Sequence, residues 1–129
     1  MTQLALEVPR SWTITVPFDP SKLSANQRLH WGKRRKLALP VRLAAGAAWC
    51  AAGRPRANRP VRVSLTIRRD RALDYDNALS GCKVALDELF VGRVTRDDGP
   101  KYLTIGSITQ ETGSQWNGRE EVSFLIEEV

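Results

Sequence analysis

The chain has 129 residues, 42% of them apolar and 26% charged, with a net charge of +6. That length suits one compact core, and the composition is that of a globular protein rather than a disordered or fibrous one. No apolar run approaches the roughly 20 residues of a membrane-spanning helix, and the opening "MTQLALEVPR" lacks the apolar stretch of a signal peptide. Cys50 and Cys82 lie far apart without CxxC spacing. They are expected to be small buried side chains in a reducing, cytoplasmic compartment. His30 stands alone, which argues against a histidine-rich metal site.

The charge is unevenly spread. Residues 1–71 carry 15 Lys/Arg against three acids (Glu7, Asp19, Asp70), a net of +12. Residues 72–129 carry five against 11, a net of −6. A basic first part followed by an acidic second part suggests a polyanionic partner for the former, against the plainer reading of a solvated basic surface.

In chain order, "SWTITVPF" alternates Trp12, Ile14 and Val16 with Thr13 and Thr15, which predicts a half-buried strand. "RLHWGKRRKLAL" is a basic segment containing Trp31. Pro40 fits the first turn of an Ala-rich helix that closes on Gly53. "VRVSLTIRR" is the clearest strand, with Val61, Val63, Leu65 and Ile67 inward. A helix of about three turns follows, capped by Asp76 or Asn77 and apolar at Leu79, Cys82, Val84, Leu86 and Leu89. "KYLTIGSITQE" predicts a strand, "TGSQWNG" an Asn-Gly turn, and "REEVSFLIEEV" a last strand with Val122, Phe124 and Ile126 inward. Trp12 and Trp49 read as core, and Trp116 as a turn residue. The order βαβαββ predicts a single α+β domain over residues 1–129, a mixed sheet packed by two helices, with the last two strands forming a hairpin.

The acidic residues concentrate in "DYDNALSGCKVALDEL" and "RDDGP". Asp74 and Asp76, two apart at a strand's end, can face one point. Asp76, Lys83 and Asp87 are spaced by seven and four, so they share roughly one helix face, and Lys83 can pair with Asp87. Asp97 and Asp98 sit on a bend fixed by Gly99 and Pro100. Carboxylates from two separate segments suit a hard cation such as Mg²⁺, and a water on that ion with lowered pKa can attack a phosphodiester. A neighbouring Lys or Arg can offset charge on the transition state. The same residues also read as ordinary helix caps and turns, and a DxD pair alone occurs in sugar transferases.

Taken together, "DYDN…K…DEL…RDDGPKY", with "VPFDPSKLSANQRLHW" before it, resembles the RusA-type Holliday junction endonucleases over residues 12–127. The resemblance implies a small homodimeric nuclease that resolves four-way DNA junctions in recombination and repair by paired nicks, using Mg²⁺ or Mn²⁺. Asp74, Asp76 and Asp98 match the metal-binding carboxylates, Lys83 the helix lysine, and Asn77, Asp87 and Asp97 supporting positions. The spacing departs at one point. The family's usual lysine position, three after the Asn, is Ser80 here, and the longer spacing to Lys83 resembles phage-type members. Arg68, Arg69 and Arg71, which lead into the motif, and Lys33, Arg34, Arg35 and Lys36 are expected to contact DNA backbone. Trp31 is a candidate for stacking on an unpaired base. A nuclease of flaps or forks, or a non-catalytic junction-binding module, are the alternatives.

Overall fold

A computed structural model describes residues 8–24 and 30–129. Part of the opening motif, residues 25–29, and the N-terminal residues 1–7 lie outside the described residues. Among the described residues, strict alternation produces the strands where it is strongest. β1 is Ser11–Val16 and β2 is Val61–Arg69, with Ile14, Val16, Val61, Val63, Leu65 and Ile67 all buried. β3 is Leu103–Thr112 and β4 is Glu121–Glu128, with Val122, Phe124 and Ile126 fully buried.

These four strands form one mixed sheet in the order β1-β4-β2-β3. β2 and β3 are parallel, whereas β4 lies antiparallel to both β1 and β2. The expected hairpin between the last two strands is therefore corrected. β3 takes the outer edge of β2, so the vacant edge that β4 can fill lies on the other side. The connection, a 3-10 turn at Ser114–Trp116 followed by Asn117 and Gly118, carries the chain across. Gly118 does adopt a left-handed φ of 72°, as an Asn-Gly turn requires. The β2–β3 register slips between Val63 and Leu65, and this irregularity lets both Ile105 and Ile108 stand opposite inward residues.

Among the described residues, three α-helices, rather than two, cover one face of the sheet. α1 spans Trp31–Ala51, starting nine residues before the expected position. Its cap is unconventional: His30 Nδ1 accepts a hydrogen bond from the Gly32 amide at 3.2 Å. Pro40 falls inside the helix on its exposed side, where the carbonyl deprived of a donor can turn to water. Small residues Ala38, Val41 and Ala45 form its buried stripe and let it lie close to β1 and the third helix. Cys50 is exposed on this helix, contrary to expectation, because the buried stripe runs along a different face. Cys82 is buried, and burial pushes its thiol up to about 12, leaving it an inert packing group. Trp12 and Trp49 are half-buried and pack against the core from its rim.

The predicted three-turn helix is two helices. α2 is Tyr75–Gly81 and α3 is Lys83–Phe90, with Cys82 serving as the end of one and the start of the other. Asp74 takes the N-cap position of α2 in place of Asp76 or Asn77, without a side-chain cap bond. The break coincides with a close approach: a Cβ on Gly81 would lie 2.1 Å from the Pro20 carbonyl oxygen. Pro20 opens a 3-10 turn, Pro20–Leu23, whose cap is Asp19. Only glycine admits the turn's backbone this closely. Among the described residues, no helix is long and apolar enough to cross a membrane.

Candidate functional site

The chain enters the acidic motif under two constraints. The Gln110 side chain on β3 accepts from the Leu73 amide at 2.7 Å and donates to the Leu73 carbonyl at 2.8 Å. This reciprocal pair is the pattern of one more rung of sheet, and it fixes the backbone just before Asp74. At the other end of α2, Arg69 binds Asp19 at 3.2 Å with both side chains largely buried, which anchors the 3-10 turn that Gly81 packs against. Sequence reading overlooked Gln110, Asp19 and Gly81. The one available signal was Gln110's place on the inward parity of β3, opposite Ile67.

Lys83 begins α3 and points into a cleft of about 400 Å³ lined by Asp76, Ser80, Lys83, Asp87 and Asp98 over an apolar floor of Leu79, Leu86, Leu103 and Ile105. The Lys83 ammonium lies 3.5 Å from Asp87, one turn along, and 4.0 Å from Asp98, on the loop after α3. The predicted helix pair is thus formed, and a second segment joins it.

That loop is braced from within. Val94 is buried, and the Val94 and Thr95 amides donate to the Leu89 and Phe90 carbonyls at 3.1 and 3.2 Å. The Thr95 hydroxyl donates to the Asp97 carbonyl at 2.6 Å, and Asp97 Oδ1 accepts from the Asp98 amide at 2.8 Å. The adjacent acids therefore differ in what they do. Asp97 turns back to hold the bend, and Asp98 projects into the cleft.

Asp76 and Asp98 share the cleft, but Asp74 is not part of its lining. Among the described residues, no three acidic, histidine or cysteine side chains form a group able to hold a metal ion. The trio Asp74, Asp76 and Asp98 is consequently not assembled as a ready-made cage. Two carboxylates do fit Mg²⁺, which commonly takes one or two from the protein and completes its octahedron with waters and substrate phosphate oxygens.

The basic residues divide. Arg68 bridges Glu111 at 2.8 Å and Glu121 at 2.9 Å, donates to Ser123, and lies over the Trp116 ring at 5.8 Å. Arg69 binds Asp19 and Asp70. Both are held by acids of the chain itself, which weakens the expectation that they contact DNA. Among the described residues, Arg71 makes no ion pair. Lys33, Arg34, Arg35 and Lys36 lie in the first turns of α1. Arg34 folds back onto the Leu23 carbonyl at 2.9 Å, while Lys33, Arg35 and Lys36 are exposed beside Trp31, itself 66% exposed. Asn77 lies in the first turn of α2, and its carbonyl accepts from the Ser80 hydroxyl at 3.4 Å.

Comparison with protein-family models gives no match, and comparison with curated proteins gives none either.

Proposed function

We propose that the chain is a RusA-like, Mg²⁺-dependent endodeoxyribonuclease acting on branched DNA, with the four-way junction as its substrate. The observation that carries this reading is the cleft itself. Carboxylates from α2 and from the 95–102 loop flank one lysine on an apolar floor, in a chain whose first half is strongly basic.

In this reading Asp76 and Asp98 hold the ion, with Asp74 the remaining acid of the motif and Mn²⁺ an acceptable substitute. When bound, the ion supplies an activated water and neutralises phosphate charge. Lys83, 69% exposed, is free to leave its carboxylate partners and offset charge developing on the phosphoryl oxygens. Asp87 keeps that ammonium aimed into the cleft, and Asp97 keeps Asp98 there. Lys33, Arg35 and Lys36 on α1 would follow the sugar-phosphate backbone, with Trp31 available to stack on an unpaired base. A four-way junction has near two-fold symmetry, and paired nicks need two equivalent sites, so the active form is a C2 homodimer. A reducing cytoplasm is the compartment this reading assigns.

Two observations favour a second reading. The three-carboxylate group is not assembled, and Lys83 is neutralised by Asp87 and Asp98, which also suits a junction-binding module without catalysis. Incubating the protein with a labelled synthetic four-way junction, a flap, a fork, linear duplex and single strand, with and without Mg²⁺, separates the possibilities. Symmetric nicks in the junction alone support resolution, while preferential flap or fork cutting assigns a related nuclease. Tight junction binding with no nicks in Mg²⁺ or Mn²⁺ assigns the binding module.

A further inference from the structure

The loop that carries Asp98 also contributes to a second cleft of about 300 Å³, lined by residues 57–60 and by Thr95, Arg96, Lys101 and Tyr102. Arg59, Arg96 and Lys101 line it together with Asn58, Thr95 and Tyr102. Its walls are fixed. The Ala57 amide donates to the Val94 carbonyl at 2.8 Å, the Val61 amide to the Tyr102 carbonyl at 2.9 Å, and the Tyr102 amide to the Gly99 carbonyl at 2.9 Å. Lys101 Nζ lies over the Tyr102 ring at 5.5 Å.

The electrostatics of this cleft are unbalanced. Among the described residues, none of Arg59, Arg96 and Lys101 has an ion pair, although Arg10, Arg62, Arg68, Arg69 and Arg93 all do. Glu128, which lines a neighbouring hollow with Arg59, is occupied by Arg10 and by the Asn58 amide at 2.8 Å. Three like charges around one fixed concavity repel one another, and an anion placed among them relieves that repulsion. Guanidinium groups favour phosphate oxygens in this role because they can donate two parallel hydrogen bonds.

We infer that this cleft binds a backbone phosphate of the DNA strand whose scissile bond lies at the Asp98 cleft. The inference rests on the nuclease reading and extends it: one loop, 95–102, supplies Asp98 to the cleft of the reacting phosphate and Arg96 and Lys101 to a second cleft for a neighbouring stretch of backbone. Loss of these cations weakens DNA binding and flattens its salt dependence, and it leaves the chemistry of bound DNA unchanged.

The test is fluorescence anisotropy of a fluorescein-labelled four-way junction, without divalent ions, over a series of salt concentrations. It compares the wild type with Arg59→Ala/Arg96→Ala/Lys101→Ala and with a matched removal of three other cations, Lys22→Ala/Arg54→Ala/Arg119→Ala. Each lost phosphate contact should reduce the slope of log affinity against log salt by about 1, and the cleft variant should bind on the order of 10-fold more weakly or worse. The matched variant should keep most of the wild-type slope. Single variants and Arg59→Lys/Arg96→Lys decide the matter if the triple variant does not fold: each alanine lowers the slope, and the lysines retain it. Wild-type affinity and slope in the cleft variants, or an equal loss in the matched variant, overturns the inference and leaves the nuclease reading standing. A wild-type protein that binds no branched, duplex or single-stranded DNA overturns the nuclease reading, and the cleft assignment with it.

Discussion

Lys83 and Asp98, one at the start of α3 and the other on the loop beyond its end, bring opposite charges to 4.0 Å across a single cleft. The contact is exposed, so its worth to folding is small, about 0–1 kcal/mol. Its position, between Asp76 and Asp87 over an apolar floor, is what makes it informative.

Replacing Lys83 with Ala therefore separates function from folding. The variant should unfold within ~0.5 kcal/mol of wild type, as befits an exposed pair, yet cut junction DNA about 10²-fold more slowly. Single-turnover cleavage and thermal unfolding measured on the same preparation check both halves. A variant that cuts at the wild-type rate would remove Lys83 from the site.

Gly81 sets where α2 lies. A methyl group there meets backbone, the Pro20 carbonyl, and not a side chain that could rotate away. Gly81→Ala should cost about 1–3 kcal/mol by overpacking, and thermal or denaturant unfolding reads it directly. Alanine is otherwise favoured in helices, so unchanged or increased stability would show that the turn yields freely.

Gln110 acts on the site through the backbone. Gln110→Glu keeps the side chain's shape and its acceptor for the Leu73 amide. It replaces the donor to the Leu73 carbonyl with a second oxygen. The segment entering Asp74 should loosen, seen as faster amide exchange at residues 73–76 and slower DNA cleavage, with β1 and β4 protected as before.

The position of Glu128 was within reach of the sequence, but its role was not. It continues the inward parity of Val122, Phe124 and Ile126, and is buried where a charge would ordinarily be costly. Arg10 and the Asn58 amide satisfy it, and the Arg10 hydrogen bond holds its carboxyl down at about 2, against an ordinary 4.5. Because the folded-state pKa is depressed, the stabilisation is present above 4.5 and is lost as pH falls through that window toward 2. Glu128→Gln should destabilise the fold at neutral pH by about 1–3 kcal/mol, and flatten the pH dependence between 4.5 and 2. Thermal melts across that range check both effects.

What could be read from the chain follows the range of the physics involved. β2 was plain because Val61, Val63, Leu65 and Ile67 alternate without interruption, and a strand's faces depend only on neighbours two apart. Lys83 and Asp87 were legible for the same reason, since one helical turn fixes their distance. The place of β4 was not, because an Asn-Gly turn describes only the bend, and the choice of partner is made by edges left open elsewhere in the sheet. The sequence points to Pro40 as the start of α1 because histidine is an unusual cap and a proline on a helix's exposed side leaves no local mark. The break at Cys82 depends on Pro20, a contact between segments far apart in sequence. The same distance in sequence hides the meeting of Arg59, Arg96 and Lys101 around one cleft.

The most direct measurement is the rate at which Asp76→Asn and Asp98→Asn nick a four-way junction in Mg²⁺, set beside their affinity for it. Each substitution removes one negative charge and keeps the side chain's size. Both variants should bind the junction at least as tightly as wild type and cut it about 10²-fold more slowly or not at all. Wild-type cutting by both variants would contradict the assignment of this cleft as the place where the phosphodiester is broken.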